Sequence, residues 1–370
     1  MTEIGAILAN AQASQHPSFS GASVLVAVGG EVVTHDSVGV TARYADDVGA
    51  PFTGAVGPVN SDTVFDLASI TKVFTAIATL TALHERGLGV HTTVAEVLPE
   101  FRGDDTLSAI TVAQLLSHTA GFPPDWRYPD ASTGRAPDPA DAWRSFRRVR
   151  PIERPGAHYT YSCVGYLWAG LFTEALTGDG LDVVVRRTLT GPLGLDDVVF
   201  APRRQPGFDP ARIAATEFQR EPARGLVHGE VHDEAAWALG GVTGNAGLFG
   251  SARSLLAVAE LLRTGGWSGS RRILAPEVVG ALTTDALTAD VGRRPAFGQA
   301  LGPRIADADW MGMLADAGAI GHTGFTGTSM LTVPGGEVSL IILTNRVHPS
   351  RAWPGLGDLR RRIADVAARA

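Results

Sequence analysis

Ser69 and Lys72 stand three positions apart in FDLASITKVFTAI, and Lys72 is the sole lysine among the 31 Lys and Arg residues of a 370-residue chain. On a helix, positions i and i+3 lie on one face a turn apart, so the hydroxyl and the amine can meet. Arginine does not release its proton near neutral pH, whereas a desolvated lysine can. A chain that otherwise uses arginine therefore has a chemical reason to keep one lysine beside a serine. The chemistry would be nucleophilic: burial lowers the lysine, its neutral form takes the serine proton, and the positive end of the helix favours an alkoxide or oxyanion. The plain structural alternative is a capping serine next to a snorkelling surface lysine.

HGEVHDE, residues 228–234, is a second cluster with chemical potential. His228 and His232 are four apart, with Glu230, Asp233 and Glu234 nearby, which is compatible with a metal site if a helix holds both imidazoles on one face. Gly229 and the spread of acids point instead to a loop, either solvated or lining a cleft through His232 and Asp233. No metal or other cofactor is expected. The single cysteine, Cys163, cannot form an internal disulfide.

The elements that would carry these residues are legible from periodicity. Residues 3–13 repeat apolar positions at near-helical spacing behind Thr2, a candidate N-cap. ASVLVAVGG and EVVTHDSVGV read as two strands turned at Gly29-Gly30, a favoured two-residue hairpin. A Gly/Pro/Asp-rich loop covers 44–58. SITKVFTAIATLTALHERG places Ile70, Val73, Phe74, Ile77, Leu80 and Leu83 on a helical stripe ending at Gly87. ITVAQLLSHTAG predicts a shorter helix ending in glycine, 123–140 a long polar loop, and YLWAGLFTEALTG a further helix. AIGHTGF, TGTSMLTVPGG and EVSLIILTNR read as successive antiparallel strands, the last two turned at Pro334-Gly335-Gly336, before a closing helix in GLGDLRRRIADVAARA. The expected architecture is α/β (α+β): an antiparallel sheet built from both termini, flanked by helices, with a helical insertion. One domain over 1–370 is expected, its α/β part about 1–65 and 240–370 and its mainly helical part about 66–239.

Composition narrows the setting. With 45% hydrophobic residues, 19% charged residues and a net charge of −7, acids and arginines interspersed, there is no footprint for nucleic acid or an anionic membrane. No apolar run approaches the roughly 18 residues of a membrane span. MTEIGAILANAQASQHPSF lacks a basic start and a continuous apolar stretch, so no signal peptide is expected. With one cysteine, this predicts a cytoplasmic protein. The sequence says nothing of oligomeric state.

DLASITK, LLSHTAGF, Tyr161-Ser162-Cys163 in HYTYSCVGY, ALGGVTGNAGLF, His322-Thr323-Gly324 in IGHTGFTG and the closing strand into LTNR follow one another over roughly residues 20–350. In these motifs the chain resembles the penicillin-recognising serine hydrolases, in the branch of class C β-lactamases, D-Ala-D-Ala carboxypeptidases, D-aminopeptidases and related esterases. The resemblance implies a β-lactamase/transpeptidase-like fold. It further implies Ser69 as acylated nucleophile, Lys72 as its proton acceptor and Tyr161 as a second proton-transfer group. The oxyanion hole would use the backbone N–H groups of Ser69 and Phe325. Cys163, His322, Thr323, Gly324, Asn345 and Arg346 would contact substrate, with Gly324 and Gly327 letting it lie close to the strand.

Two positions depart from the family pattern. Cys163 stands where asparagine is usual, and a thiol accepts from lysine and donates to substrate poorly. It could itself be a nucleophile, or a buried inert thiol. His322 stands where lysine is commoner; neutral at pH 7, it removes a fixed charge for a substrate carboxylate. Arg346 or Arg351 could restore that anchor, or be surface arginines. These departures favour small-molecule esters or amides over β-lactams and D-Ala peptides. An acyltransferase using the same acyl-enzyme, or a catalytically weak binding protein retaining the fold, are the rival readings.

Overall fold

The computed structural model describes residues 2–13, 17–128, 135 and 137–370; part of the expected 123–140 loop lies outside them. A seven-stranded antiparallel sheet forms the frame. Its strands are β1 (Gly21–Val28), β2 (Glu31–Gly39), β3 (Gly298–Gln299), β4 (Arg304–Ile305), β5 (Ile320–Thr323), β6 (Ser329–Thr332) and β7 (Val338–Thr344). Their order is β3-β4-β5-β6-β7-β1-β2, so the two ends of the chain meet at β7 and β1, paired from Ala22 with Thr344 to Val28 with Val338. The β1–β2 hairpin turns at Gly29 and Gly30, whose φ values of 61° and 89° need the freedom of glycine.

Side chains alternate across this sheet. Val24, Val26, Leu340 and Ile342 face α1 (Glu3–Gln12) and the C-terminal helix Leu359–Ala367, against Ile7, Leu8 and Ile363. Leu25, Ala27, Ile341 and Leu343 belong to the larger core on the other side, which also holds α2 (Thr71–Glu85) and α3 (Cys163–Thr177). Thr2 caps α1 as expected, accepting from the Gly5 N–H at 2.8 Å.

The helix α2 departs from the one-sided stripe. Every residue from Thr71 to Leu80 is buried, because α3 and the shell around it cover the polar-looking face. Thr75 and Thr79 survive there by hydrogen bonding to the Gly244 carbonyl and the Thr75 carbonyl. The helix expected in ITVAQLLSHTAG spans only Val112–Leu116, and His118 follows with φ +61°.

Candidate active site

The Ser69 turn begins at the end of the short strand Phe65–Asp66, which pairs with Leu248–Gly250. Ala68–Ile70 form a 3-10 turn that runs directly into α2. Ala68 takes φ +46°, an uncommon conformation for a residue with a Cβ. The buried Asp66 carboxylate accepts the Ala68 N–H at 2.8 Å and the His232 N–H at 2.7 Å. Burial pushes that carboxyl up, and the two N–H bonds resist.

Lys72, fully buried at 0% exposure, points its Nζ at three acceptors: Ser69 Oγ at 3.0 Å, the Asn245 carbonyl at 3.0 Å and Cys163 Sγ at 3.5 Å. Three acceptors match the three protons of an ammonium. Burial alone would lower Lys72, as the sequence predicts. Cys163 and Tyr161, through the negative charge they carry when ionised, and then Asp233 outweigh it, and the net direction is upward. The three acceptors around its Nζ suit an ammonium where the sequence leads one to expect a neutral amine.

Tyr161 lies in the extended segment before α3. Ser162 caps that helix by accepting the Gly165 N–H at 3.1 Å, and its own N–H donates to His118 Nδ1 at 3.0 Å. The Tyr161 ring is enclosed by His118 at 4.4 Å and His322 at 6.1 Å between centroids, with Lys72 Nζ 5.1 Å and the Arg304 guanidinium 5.6 Å from its centre. Burial, with Lys72 and Arg304 close by, holds both histidines well below their ordinary value, so both are neutral. The bonding partners assign the proton of His118 to Nε2 and that of His322 to Nδ1, which faces the Thr323 carbonyl at 2.7 Å. His322 is buried and only Thr323, Gly324 and Phe325 of its strand end line the cleft, so its expected contact with substrate gives way to contact with Tyr161.

Cys163, the first residue of α3, does line the cleft, and burial pushes its thiol up to about 11. A thiol held there is a poor nucleophile at neutral pH.

Opposite Tyr161, the end of β5 packs onto the Ser69 turn. A Cβ on Gly324 would come within 2.6 Å of the Leu67 carbonyl and 2.1 Å of Thr328 Oγ1, so this glycine permits approach of the nucleophile turn itself. Gly327 has φ +110°, and its Cβ would meet Thr344 Oγ1 at 2.2 Å. Thr326 and Thr328 donate to the Asp66 and Leu67 carbonyls at 2.7 and 3.1 Å. Phe325 follows, a residue 52% exposed, with its ring stacked on His232 at 5.6 Å.

Residues 228–233 form a loop that runs into the short helix Glu234–Ala238, and His232, Asp233 and Glu234 line the cleft. His232 Nε2 meets Glu217 at 2.9 Å, and Arg351 bonds both Glu217 and Glu234. Glu217 is pushed down to about 2: burial opposes this, and bonding to His232 and Arg351 outweighs it. Among the described residues no group of three or more His, Cys, Asp or Glu could hold a metal ion. Arg351 is thus committed to carboxylates. Arg346 lines the cleft over the Phe325 ring at 5.3 Å, and among the described residues no carboxylate pairs with it.

Asn345 differs from expectation. Its side chain is buried, accepting from the Ser20 and Gly21 N–H groups and donating to the Thr41 and Ala215 carbonyls. With all of these bonds made inside the protein, it joins the chain ends and is not a substrate contact. Sequence reasoning missed Asp66, His118, Asn245 and Arg304. Asp66, His118 and Asn245 lie within DLASITK, LLSHTAGF and ALGGVTGNAGLF, segments that carry the resemblance without assigning these residues a use; nothing local singled out Arg304.

The assembled site is a cleft of about 600 Å³ with Ser69, Tyr161 and Cys163 on one side and Thr323–Phe325 on the other. A beta-lactamase family profile matches residues 9–365. The chain belongs to the beta-lactamase family. Within the family it is 30% identical over 361 residues to a "Putative D-alanyl-D-alanine carboxypeptidase" of Escherichia coli O157:H7, covering 91% of this chain and 80% of the relative. The fold is that of the octameric penicillin-binding protein homologue from Pyrococcus abyssi (TM-score 0.72, 19% identity, 99% of this chain and 78% of that one). It is also that of EstCE1, a hydrolase with promiscuous acyltransferase activity (0.70, 22%, 98% and 97%), and of simvastatin synthase from Aspergillus terreus (0.71, 20%, 100% and 99%). Beta-lactamase family membership makes the chain a serine hydrolase of that type, and the sheet joining both termini agrees with its fold.

Proposed function

We propose that the chain cleaves ester or amide carbonyls of small molecules through an acyl-Ser69 intermediate, with esters preferred. The observation that carries this is Lys72 Nζ at 3.0 Å from Ser69 Oγ at the head of a buried helix, within the cleft that Tyr161 lines. The reactive form of the Lys72–Tyr161 pair is one proton short, written as ammonium and phenolate. Lys72 Nζ lies 5.1 Å from the centre of the Tyr161 ring. Ser69 Oγ bonds to the acyl carbon as its proton passes to the Tyr161 oxygen. That proton then goes to the departing alcohol or amine as its bond to carbon breaks. Water attacks the acyl-enzyme, loses a proton to Tyr161, and Ser69 regains one as the acid leaves. The N–H groups of Ser69 and Phe325 would hold the oxyanion.

The ester preference rests on two features. Cys163 offers substrate no amide N–H or carbonyl, and His322 supplies no charge to the cleft wall. Arg346, like Arg127 and Arg360, lines the cleft without a carboxylate partner among the described residues, and is the cation proposed to meet a substrate carboxylate. A panel of p-nitrophenyl esters, a chromogenic cephalosporin and D-amino-acid amides tests this. Esters turning over fastest supports the reading; D-amino-acid amides or the cephalosporin turning over faster contradicts it. Acyl transfer is the second reading, favoured by the fold shared with EstCE1, a hydrolase with promiscuous acyltransferase activity, and with simvastatin synthase. Product analysis with added alcohol or amine separates it from hydrolysis.

A further inference from the structure

Asp66 lies three residues before Ser69 and takes no direct part in the proton transfers above. Its carboxylate is 1% exposed and makes two backbone contacts, one per oxygen: Oδ1 accepts from Ala68 and Oδ2 from His232. The first contact closes the turn in which Ala68 holds φ +46° immediately before the nucleophile. The second fixes the loop whose His232 ring lies face to face with Phe325. The Asp66 carbonyl is also bonded, to Thr326 Oγ1, the residue after Phe325. One residue thus touches both segments from which the two oxyanion N–H groups project. A buried carboxylate that accepts two N–H groups cannot be replaced by an amide without turning a donor toward a donor.

We propose that Asp66 is a positioning residue that sets the separation and aim of the Ser69 and Phe325 N–H groups, by holding Ala68 in its left-handed conformation and anchoring the loop behind Phe325. This rests on Ser69 being the nucleophile. The carboxylate over-determines a backbone conformation that Ala68 would not keep unaided. Loss of aim at the oxyanion acts on the transition state more than on the bound ester, so turnover falls while affinity is retained.

The test uses p-nitrophenyl acetate with wild-type protein, D66N, A68G and D66N/A68G. D66N is expected to lower kcat by roughly 30- to 100-fold with KM within about threefold of wild type. A68G is the reference for the double variant, because glycine adopts the same φ without strain. D66N/A68G should recover roughly fivefold or more of the lost kcat, since the turn no longer needs the carboxylate to hold it. A purely structural role for Asp66 would lower the active fraction without that recovery. If D66N does not fold, D66N/A68G is compared directly with A68G: lower kcat at unchanged KM supports the proposal. Wild-type kcat in D66N, no recovery in D66N/A68G, or a change confined to KM overturns it. Fluorophosphonate labelling of Ser69 in the wild-type protein is measured alongside. A missing Ser69 adduct removes the nucleophile reading, whereas a normal adduct with unaffected D66N turnover removes only the role of Asp66.

Discussion

Lys72 Nζ lies 3.0 Å from Ser69 Oγ and donates to it, because the Asn245 carbonyl and Cys163 Sγ occupy the other two directions of an ammonium. The cation is held in place by groups from three parts of the chain. Lys72→Met should lower kcat/KM by roughly a thousandfold, within the usual range for a positioned proton-transfer or charge-stabilising group. Lys72→Arg keeps the charge and should lose roughly tenfold less, as judged by burst kinetics with p-nitrophenyl acetate. Equal losses in the two variants would return the proton-acceptor role to Lys72.

Cys163 meets Lys72 at 3.5 Å with a thiol pushed up to about 11, by burial first. Cys163→Asn puts a carbonyl acceptor toward Lys72 and an amide donor toward the cleft. Acylation by a chromogenic cephalosporin should rise by roughly tenfold, while hydrolysis of a simple ester changes little. An unchanged cephalosporin rate would show that the thiol does not limit the site.

Arg346 lines the cleft with a guanidinium that stacks on Phe325, whereas Arg351 is bonded to Glu217 and Glu234. Arg346→Gln should raise KM for an ester carrying a carboxylate by roughly tenfold and leave a neutral ester unaffected. Arg351→Gln should instead lower thermal stability, since it leaves two carboxylates without their cation. If both esters respond alike to Arg346→Gln, the residue does not anchor an anion.

His118, His322 and His348 are buried and neutral, each held below its ordinary value by burial, His348 at about 4. In the unfolded chain they take up protons near pH 6.5, while the folded protein resists. The unfolded state therefore binds more protons below pH 6.5, and stability falls as pH drops, by at most ~1.4 kcal/mol per pH unit for each histidine. For His348 this loss runs from about 6.5 down to about 4 and then levels off. Glu217, at about 2 when folded, adds a further loss as pH falls from its ordinary carboxylate value toward 2. Urea unfolding midpoints at pH 7, 6 and 5 should decline in that order; a flat series would contradict neutral burial of these histidines.

Local signals carried much of the fold. Gly29-Gly30, Pro334-Gly335-Gly336 and period-two apolar runs specify strands whose pairing needs little more than their turns. Ser69 and Lys72 were legible for the same reason: one helical turn fixes their separation. The charge state of Lys72 was not legible, because it depends on Asn245, Cys163 and Asp233, which only tertiary packing brings to it. His118 and, through its second oxygen, Asp66 were hidden because they accept backbone N–H groups of distant segments. Asn345 misled for the opposite reason: a polar residue at a strand end suggests a ligand contact, and here it satisfies four buried backbone groups.

The central claim is that Ser69 carries the acyl group. Intact-mass analysis of the folded protein after mixing with a fluorophosphonate probe, followed by peptide mapping, tests it most directly. One adduct per chain is expected, located on the peptide containing Ser69 and absent in Ser69→Ala. No adduct on folded wild-type protein, or an adduct of equal yield in Ser69→Ala, would contradict it.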